Sequence, residues 1–445
     1  MELNKIHKVY FVGIGGIGMS ALAKFFVAQG ASVFGYDKTS TTITDELEKL
    51  GAKITFDNSE TAIDNEVAND KNTLIVYTPA IPSENKILNF FRKESYQLMK
   101  RSEVLGIISR NSYCLAVAGT HGKTTTSALL AHIMTECNTG ASSFVGGVMS
   151  GYNSNLIIGD KDVMVVEADE YDRSFLKLSP NIACITSTDA DHLDIYEFGD
   201  ILEKTFVDFV ELLPENGVLI SNAEMNYKVG LFYSINKPCD YFATDIKVKE
   251  GKFHFNINTG KGEIYYDVKS NLPGKFNIEN TIAAFAMADL FGLKGTDIVK
   301  SIESFKGINR RFNVFSFSSK TIVDDYAHHP TEIEVSLEAA KGLFEDKKIA
   351  VIFQPHLYSR TRDFEKEFAD VLAKFDEVNL LEIYPAREKA LPGITSNALL
   401  NKIDTNIKRV ISKEEIKQTI ESSNCDVVMM LGAGDIGVEI EKLKN

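Results

Sequence analysis

The segment from Tyr113 to Glu136 constrains this chain more than any other. It reads YCLAVA, then GTHG, then KTTTSALLAHIMTE. An apolar run, a glycine turn and a helix-forming stretch in that order predict a strand, a loop and a helix. Such a loop aims backbone N–H groups at the positive end of a helix, which is a place for phosphate. Lys123 is positioned to reach terminal phosphates, and the Thr124 hydroxyl to bind Mg²⁺. The spacing is not the full Walker pattern. That pattern needs glycine five positions before Gly122, where Val117 stands, so the loop is a short form with Gly119 three positions before. The unit points to ATP, with Gly119, Thr120, His121, Gly122, Lys123, Thr124 and Thr125 forming the cradle.

The rest of the chain fits around that unit. Short apolar runs alternate with helix-like stretches, the pattern of a mainly parallel α/β protein. Predicted strands are Lys8–Ile14, Ser32–Tyr36, Leu74–Tyr77, Tyr113–Ala118, Val163–Ala168, Ile182–Ser187, Lys348–Phe353, Val378–Tyr384 and Asp426–Leu431. Glycine turns restart the pattern twice, giving three blocks at 1–111, 112–310 and 311–445. Within the second block, residues 240–270 alternate apolar and polar side chains around glycine turns, as antiparallel strands at a sheet edge would. At 445 residues, three domains match ordinary domain sizes.

Composition narrows the class. The formal net charge of −14 carries no basic stripe for nucleic acid. No apolar run is long enough to cross a membrane. The MELNKIHKVYFVGIGG start enters a strand directly without a signal-like segment, so a cytoplasmic protein without membrane insertion is expected. Five scattered cysteines with no CxxC spacing argue against disulfides or a thiolate zinc site.

Three further clusters carry chemistry. Gly13, Gly15, Gly16 and Gly18 form a GIGGIG turn between a strand and an amphipathic helix, and a second strand ends at Asp37. This is the dinucleotide-type phosphate turn with an acid at ribose-contact distance, and it leaves NAD and other phosphate-bearing ligands open. Two apolar strands end in acids: VMVVEADEYD holds Glu167, Asp169, Glu170 and Asp172, and IACITSTDADHLD holds Asp189, Asp191, His192 and Asp194. Ligands bind beyond the carboxyl ends of such strands. Thr124, Glu167 and His192 are therefore the candidate Mg²⁺ set, the ion favouring hard oxygens shared with phosphate. Asp172 and Asp194 read as solvated loop charges. In the last third, NRRF (Arg310, Arg311), DDYAHHP (Asp325, His328) and FQPHLYSRTR (His356, Arg360, Arg362) are dense in polar groups, and the latter two follow apolar runs. Five of eight histidines fall in these loops and motifs. One of the paired arginines reads equally as a surface ion pair. GAGDI, with Asp435, is a second anion-approaching turn or simply a turn.

Taken together, GTHGKTTT, EADEYD, DADHLD, LPGKFNIEN, NRRF and DDYAHHPTE resemble the Mur ligases of peptidoglycan synthesis over nearly the whole chain. GIGGIGMS, DDYAHHPTEI, FQPHLYSRTRDF and GAGDIG resemble the members that use UDP-N-acetylmuramate and L-alanine. The tripeptide-recycling member of the same family is the alternative, with an NAD-dependent oxidoreductase as the rival from another class. The resemblance implies a Rossmann-like N-terminal domain, a central P-loop ATPase domain with a mainly parallel sheet, and a Rossmann-like C-terminal domain. It implies UDP-sugar rather than NAD at Gly13–Gly18, with Asp37, Thr78 and Ala80 nearby. It implies ATP contacts from Asn280, Arg311 and Asp325, and places His328, His356, Arg360 and Arg362 at the amino-acid end. Lys123, Glu170, His192 and His328 become the catalytic candidates, the last three as bases for the amine. One departure is Phe276-Asn277, where the family often has His-Asn. No lysine stands out as a carbamylated metal bridge, and none is expected.

Overall fold

The computed structural model describes residues 6–188, 199–225, 229–249, 252–386 and 388–444. The chain forms two compact units. One comprises Met1–Val248, Phe253–Asn271 and Phe276–Lys306, and the other Gly307–Asn445 with two short segments, Lys249–Lys252 and Leu272–Lys275.

The first unit contains two sheets. The first sheet has β1 (Lys8–Val12), β2 (Ser32–Tyr36), β3 (Lys53–Thr55), β4 (Leu74–Tyr77) and β5 (Gln97–Lys100), in the order β3-β2-β1-β4-β5. Every pairing is parallel. Val9 to Val12 are all buried, as continuous apolar strands are when helices cover both faces of a sheet. Its register aligns Val12 with Tyr36 and with Tyr77, and Tyr77 with Lys100. The residues that follow, Gly13, Asp37, Thr78 and Arg101, therefore leave the sheet along one carboxyl edge.

The second sheet holds β6 (Tyr113–Ala118), β7 (Ser142–Met149), β8 (Ser154–Ile157), β9 (Val163–Glu167), β10 (Ile182–Ile185), β11 (Val218–Asn222), β12 (Leu231–Ser234), β13 (Tyr241–Lys249), β14 (Lys252–Thr259) and β15 (Ile264–Ser270). Its order is β15-β14-β13-β12-β11-β10-β6-β9-β7-β8. The β13–β15 segment lies at one edge, with β14 and β15 antiparallel, as the alternation at 240–270 predicts. β13 itself joins the sheet parallel to β12.

The two sheets share one apolar core. Phe11, Leu22 and Phe26 cluster with Phe144, Leu156 and Phe175 from the second sheet's layer. The Phe25 and Phe144 rings lie 5.6 Å apart. Polar contacts pin the same junction. Asn155 donates to the Ile17 carbonyl, and the Ser179 N–H donates to Ser109 Oγ at 3.1 Å. A Cβ on Gly106 would collide with the Lys177 carbonyl oxygen, so the helix Arg101–Arg110 lies directly on that backbone.

The second unit has one sheet: β16 (Asn313–Phe317), β17 (Lys320–Asp325), β18 (Ile349–Phe353), β19 (Glu377–Leu380), β20 (Lys408–Val410) and β21 (Val427–Leu431), ordered β16-β17-β21-β18-β19-β20. Only β16 runs antiparallel to its neighbour among these described strands. All nine predicted strands are present; four end one to four residues earlier than predicted, and the starts differ by at most one residue. Strands of three or four residues such as β3, β5 and β20 carry too few apolar positions to show a period.

Candidate functional site

The loop between β6 and the helix Lys123–Glu136 turns through two glycines at positive φ, Gly119 at 129° and Gly122 at 82°. Side chains there would be strained, and would also collide. A Cβ on Gly119 would meet Thr186 Oγ1, and one on Gly122 would lie 2.5 Å from Asn280 Oδ1. The end of β10 clamps the same loop. Ser187 Oγ accepts the His121 N–H at 2.9 Å and lies 2.7 Å from Thr120 Oγ1, while the Thr186 hydroxyl donates to the His121 carbonyl. Sequence reasoning passed over Thr186 and Ser187, although they directly precede the acids of the second motif.

Lys123 is folded back into its own loop. Its Nζ lies 2.8 Å from Glu170 Oε1 and also donates to the Gly119 and Thr120 carbonyls. Glu170 is fully buried. Burial pushes its carboxyl up from the usual range, and the Lys123 charge only partly offsets that. Burial works against the Lys123 ammonium too, but Glu170, Asp169 and Glu167 outweigh it and leave its pKa raised. At pH 7 the lysine is a held cation.

At the next residue, the Thr124 hydroxyl donates to Glu167 Oε1 at 2.8 Å, and the other carboxylate oxygen accepts the Gly146 N–H at 2.6 Å. No group of three or more His, Cys, Asp or Glu suited to a metal occurs among the described residues. Mg²⁺ needs no such cage. It is ordinarily held by one or two carboxylates together with substrate phosphates and water. The hard-oxygen pair of Thr124 and Glu167 beside a phosphate loop fits that habit. His192, with Asp189, Asp191 and Asp194, lies outside the described residues. Beneath the loop, buried Asn280 accepts from Thr126 at 3.2 Å and donates to Asn277 Oδ1 at 3.0 Å. Asn277, beside the departing Phe276, thus orients Asn280.

On the first sheet, Gly13 has φ 88°, and a Cβ there would lie 2.9 Å from Ile81 Cδ1 and 3.5 Å from Thr78 Cγ2. The Thr78–Ile81 turn is therefore against the glycine loop, closed by an Ile81 N–H to Thr78 carbonyl bond of 3.1 Å, with Ala80 exposed at its tip. Asp37 Oδ2 accepts the Gly15 N–H at 2.7 Å, and Oδ1 the Lys38 N–H at 2.7 Å. Gly16 caps the helix Ile17–Ala28 without a side-chain bond. Two residues missed in the sequence, Lys100 and Arg101, lie where β5 ends. Lys100 pairs with Asp172 at 3.0 Å and Arg101 with Asp169 at 3.6 Å. Asp172 is thus a partner in a specific ion pair, beyond a solvated charge.

In the second unit, Arg310 is a structural anchor. It reaches Asp324 at 3.4 Å and the Gly432 and Gly434 carbonyls, so it holds the GAGD turn in place. In that turn, Asp435 bonds Gln354 at 2.7 Å and pairs with Lys413. Arg311 lies over the Tyr326 ring, and its charge acts on Asp325. Burial lifts the Asp325 carboxyl to about 6 against that charge and a 2.7 Å bond from Ser336. His328 and His356 come together, with ring centres 5.9 Å apart, and His356 stacks on Tyr384. Burial lowers the His328 pKa. Its Nδ1 is 2.9 Å from the Tyr326 carbonyl, which fixes the proton there and leaves Nε2 as the basic atom. Arg360 acts on His328 electrostatically, whereas exposed Arg362 bonds its neighbour Asp363 at 2.7 Å and is not drawn into the cluster.

These features define a three-sheet α/β protein with a shortened phosphate loop on the central sheet and a glycine turn on the first. Residues 8–113 match the Mur ligase family catalytic domain, 117–288 the Mur ligase middle domain, and 310–434 the Mur ligase glutamate ligase domain. The chain is 46% identical to a UDP-N-acetylmuramate–L-alanine ligase of Christiangramia forsetii, over 100% of this chain and 98% of that one. It is 45% identical to the enzyme of that name from Flavobacterium johnsoniae, with the same coverage. Among solved structures, it is similar to the UDP-N-acetylmuramate–alanine ligase of Thermotoga maritima, with TM-score 0.83, 27% identity and 98% of each chain covered. A murein peptide ligase of Psychrobacter arcticus shares the fold at TM-score 0.74 and 22% identity, again over 98% of each chain. The chain belongs to the Mur ligase family.

Proposed function

We propose that this protein is an ATP-dependent ligase joining L-alanine to the lactyl carboxylate of UDP-N-acetylmuramate, a cytoplasmic step of peptidoglycan synthesis. The observation that carries the reading is end-to-end similarity, at 45–46% identity, to ligases bearing that name. We divide the chain at 111 and 310, giving a UDP-sugar domain, an ATP domain and an amino-acid domain.

The chemistry follows from the reactants. A carboxylate does not acylate an amine at pH 7 until its oxygen becomes a leaving group. Transfer of the γ-phosphoryl group of ATP to the lactyl carboxylate gives an acyl phosphate and ADP. The amine of L-alanine then attacks the acyl carbon, one proton leaves the nitrogen, and phosphate departs with the C–O bond. Phosphoryl transfer needs positioning and charge neutralisation. Gly119–Thr125 cradle the phosphates, and Lys123 swings from Glu170 to the terminal ones. Thr124 and Glu167, with His192, would hold Mg²⁺, which when bound neutralises phosphate charge. Asn280 takes the adenine, Arg311 a phosphate and Asp325 the ribose. Gly13, Gly15, Gly16, Gly18, Asp37, Thr78 and Ala80 hold the UDP-sugar. His356 and Arg360 serve the amino-acid end, while Arg362 stays with Asp363 outside that cluster. His328 Nε2 is the base we favour for the amine, because burial keeps the ring neutral. Glu170, bonded to Lys123, instead serves to hold that lysine.

The test is phosphate release with ATP, Mg²⁺ and UDP-N-acetylmuramate, screening L-alanine, glycine, L-serine and a muramyl-type tripeptide. L-Alanine is expected to give the highest kcat/KM. Preference for the tripeptide would move the protein to the recycling activity, and nicotinamide reduction without phosphate release would sink the ligase reading.

A further inference from the structure

Three loops and one helix leave the first sheet side by side, at Asp37, Gly13, Thr78 and Arg101, as the strand register dictates. Three of them belong to the proposed UDP-sugar site, and Arg101 has no assigned role. Its guanidinium lies over the first turn of the helix Ile17–Ala28. A Cβ on Gly18 would be 2.8 Å from Arg101 Nη1 and 3.2 Å from its Cζ. The third glycine of such a turn normally serves close packing of helix on strand. Here it clears an arginine. The position of Arg101 is set from two sides. Glu103 accepts the preceding Lys100 N–H at 2.7 Å, which starts the helix at Arg101, and Asp169 lies 3.6 Å from Nη2. The side chain keeps 21% of its surface exposed, so it is held yet reachable.

The glycine loop has a use for that charge. Gly13 and Ile14 donate to the Tyr36 carbonyl, Gly16 donates to the Gly13 carbonyl, and Gly15 donates to the Asp37 carboxylate. The loop thus turns these N–H groups inward and carries a negative charge of its own. A diphosphate arriving there meets Asp37 and needs a cation. The first helical turn has no side-chain cap, and Arg101 lies over that turn. A planar fork of N–H donors suits paired phosphate oxygens.

We propose that Arg101 is the positioning residue that meets the diphosphate of the UDP-sugar at Gly13–Gly18. This rests on the reading under Proposed function. The adjacent Lys100 pairs with Asp172 at 3.0 Å and acts as a strut between the same two sheets. It offers a control for structural effects.

The experiment compares Arg101→Gln, Arg101→Lys and Asp172→Asn in the full chain. It measures KM and kcat for each substrate, and the inhibition constant of UDP competing with UDP-N-acetylmuramate. Arg101→Gln is expected to raise the UDP-sugar KM and the UDP inhibition constant together by about tenfold or more, the usual weight of a charge-assisted bond. The ATP KM should stay within about twofold, because no ATP contact is removed. Arg101→Lys should fall between wild type and Arg101→Gln. Asp172→Asn should leave both UDP constants unchanged. An unchanged UDP constant in folded Arg101→Gln overturns the inference, as does the same loss in Asp172→Asn. If Arg101→Gln does not fold, Arg101→Lys decides: a UDP constant equal to wild type overturns it. A wild-type chain that binds UDP but does not turn over the UDP-sugar overturns the ligase reading alone, and direct UDP binding by the variants still tests Arg101.

Discussion

At the scale of single residues, Lys123 and Asp325 show how burial and charge divide function from stability. Lys123 bonds Glu170 and its own loop, with no part in the first sheet's glycine turn. Lys123→Ala is therefore expected to lower ADP release by about 10²-fold or more, the scale of losing a transition-state charge, while UDP-sugar affinity changes little. Phosphate release and equilibrium UDP binding on the same preparation check both halves. Asp325 behaves differently. Its folded pKa of about 6 stands above that of an unfolded aspartate, so folding takes up a proton between the two values. Its contribution to stability is full below pH ~4 and is lost as pH rises through about 6. Asp325→Asn is expected to raise the thermal midpoint at pH 8, by the equivalent of about 3 kcal/mol, and to match wild type near pH 4. The same variant should bind ATP more weakly. A midpoint that falls at pH 8 would show that the Ser336 and Ala327 bonds to Asp325 outweigh its desolvation.

At the scale of elements, the phosphate loop was legible because three constraints coincide in eight residues: two glycines needing positive φ, a lysine, and a threonine opening a helix. What surrounds the loop was less legible. Thr186 and Ser187 act through hydroxyls and backbone at the end of β10, and serine or threonine after a strand carries no motif. Lys100 and Arg101 are two cations at the end of a four-residue strand, and only the sheet register brings them to the glycine turn. Arg310 and Arg311 look alike in sequence, yet one anchors a turn and the other acts on Asp325. Gly122 gives the element-level test. Its φ is 82°, and an alanine methyl there would sit 2.5 Å from Asn280 Oδ1. Gly122→Ala is expected to destabilise by about 1–3 kcal/mol and to weaken ATP binding about tenfold. Calorimetric ATP titration and thermal unfolding measure the two effects. Equal ATP affinity would mean that Asn280 can move aside without cost to the site.

At the scale of the whole molecule, the sequence divides into three blocks while the contacts divide into two units. The glycine restarts that mark the first two blocks say where each sheet begins. They are silent about Phe25, Phe144 and Phe175, whose spacing looks like ordinary core but which join one sheet's core to the next. Amides in β1 and β6 are accordingly expected to open to hydrogen exchange with similar free energy. Phe144→Ala, costing about 3–5 kcal/mol by cavity formation, should lower protection in both strands. If it lowered protection in β6 alone, the shared core would not be cooperative.

The contact of Gly106 with the Lys177 backbone has a practical bearing on recombination between relatives. A breakpoint between the first two family segments, near residue 113, looks natural in sequence. It would nonetheless separate Gly106 from Lys177, Ser109 from Ser179 and Ile17 from Asn155. A chimera that imports a foreign first segment carrying any side chain at position 106 would push the two sheets apart. Donor and recipient must be matched at these three pairs, so the two segments are inherited more safely as a single cassette than as separate pieces.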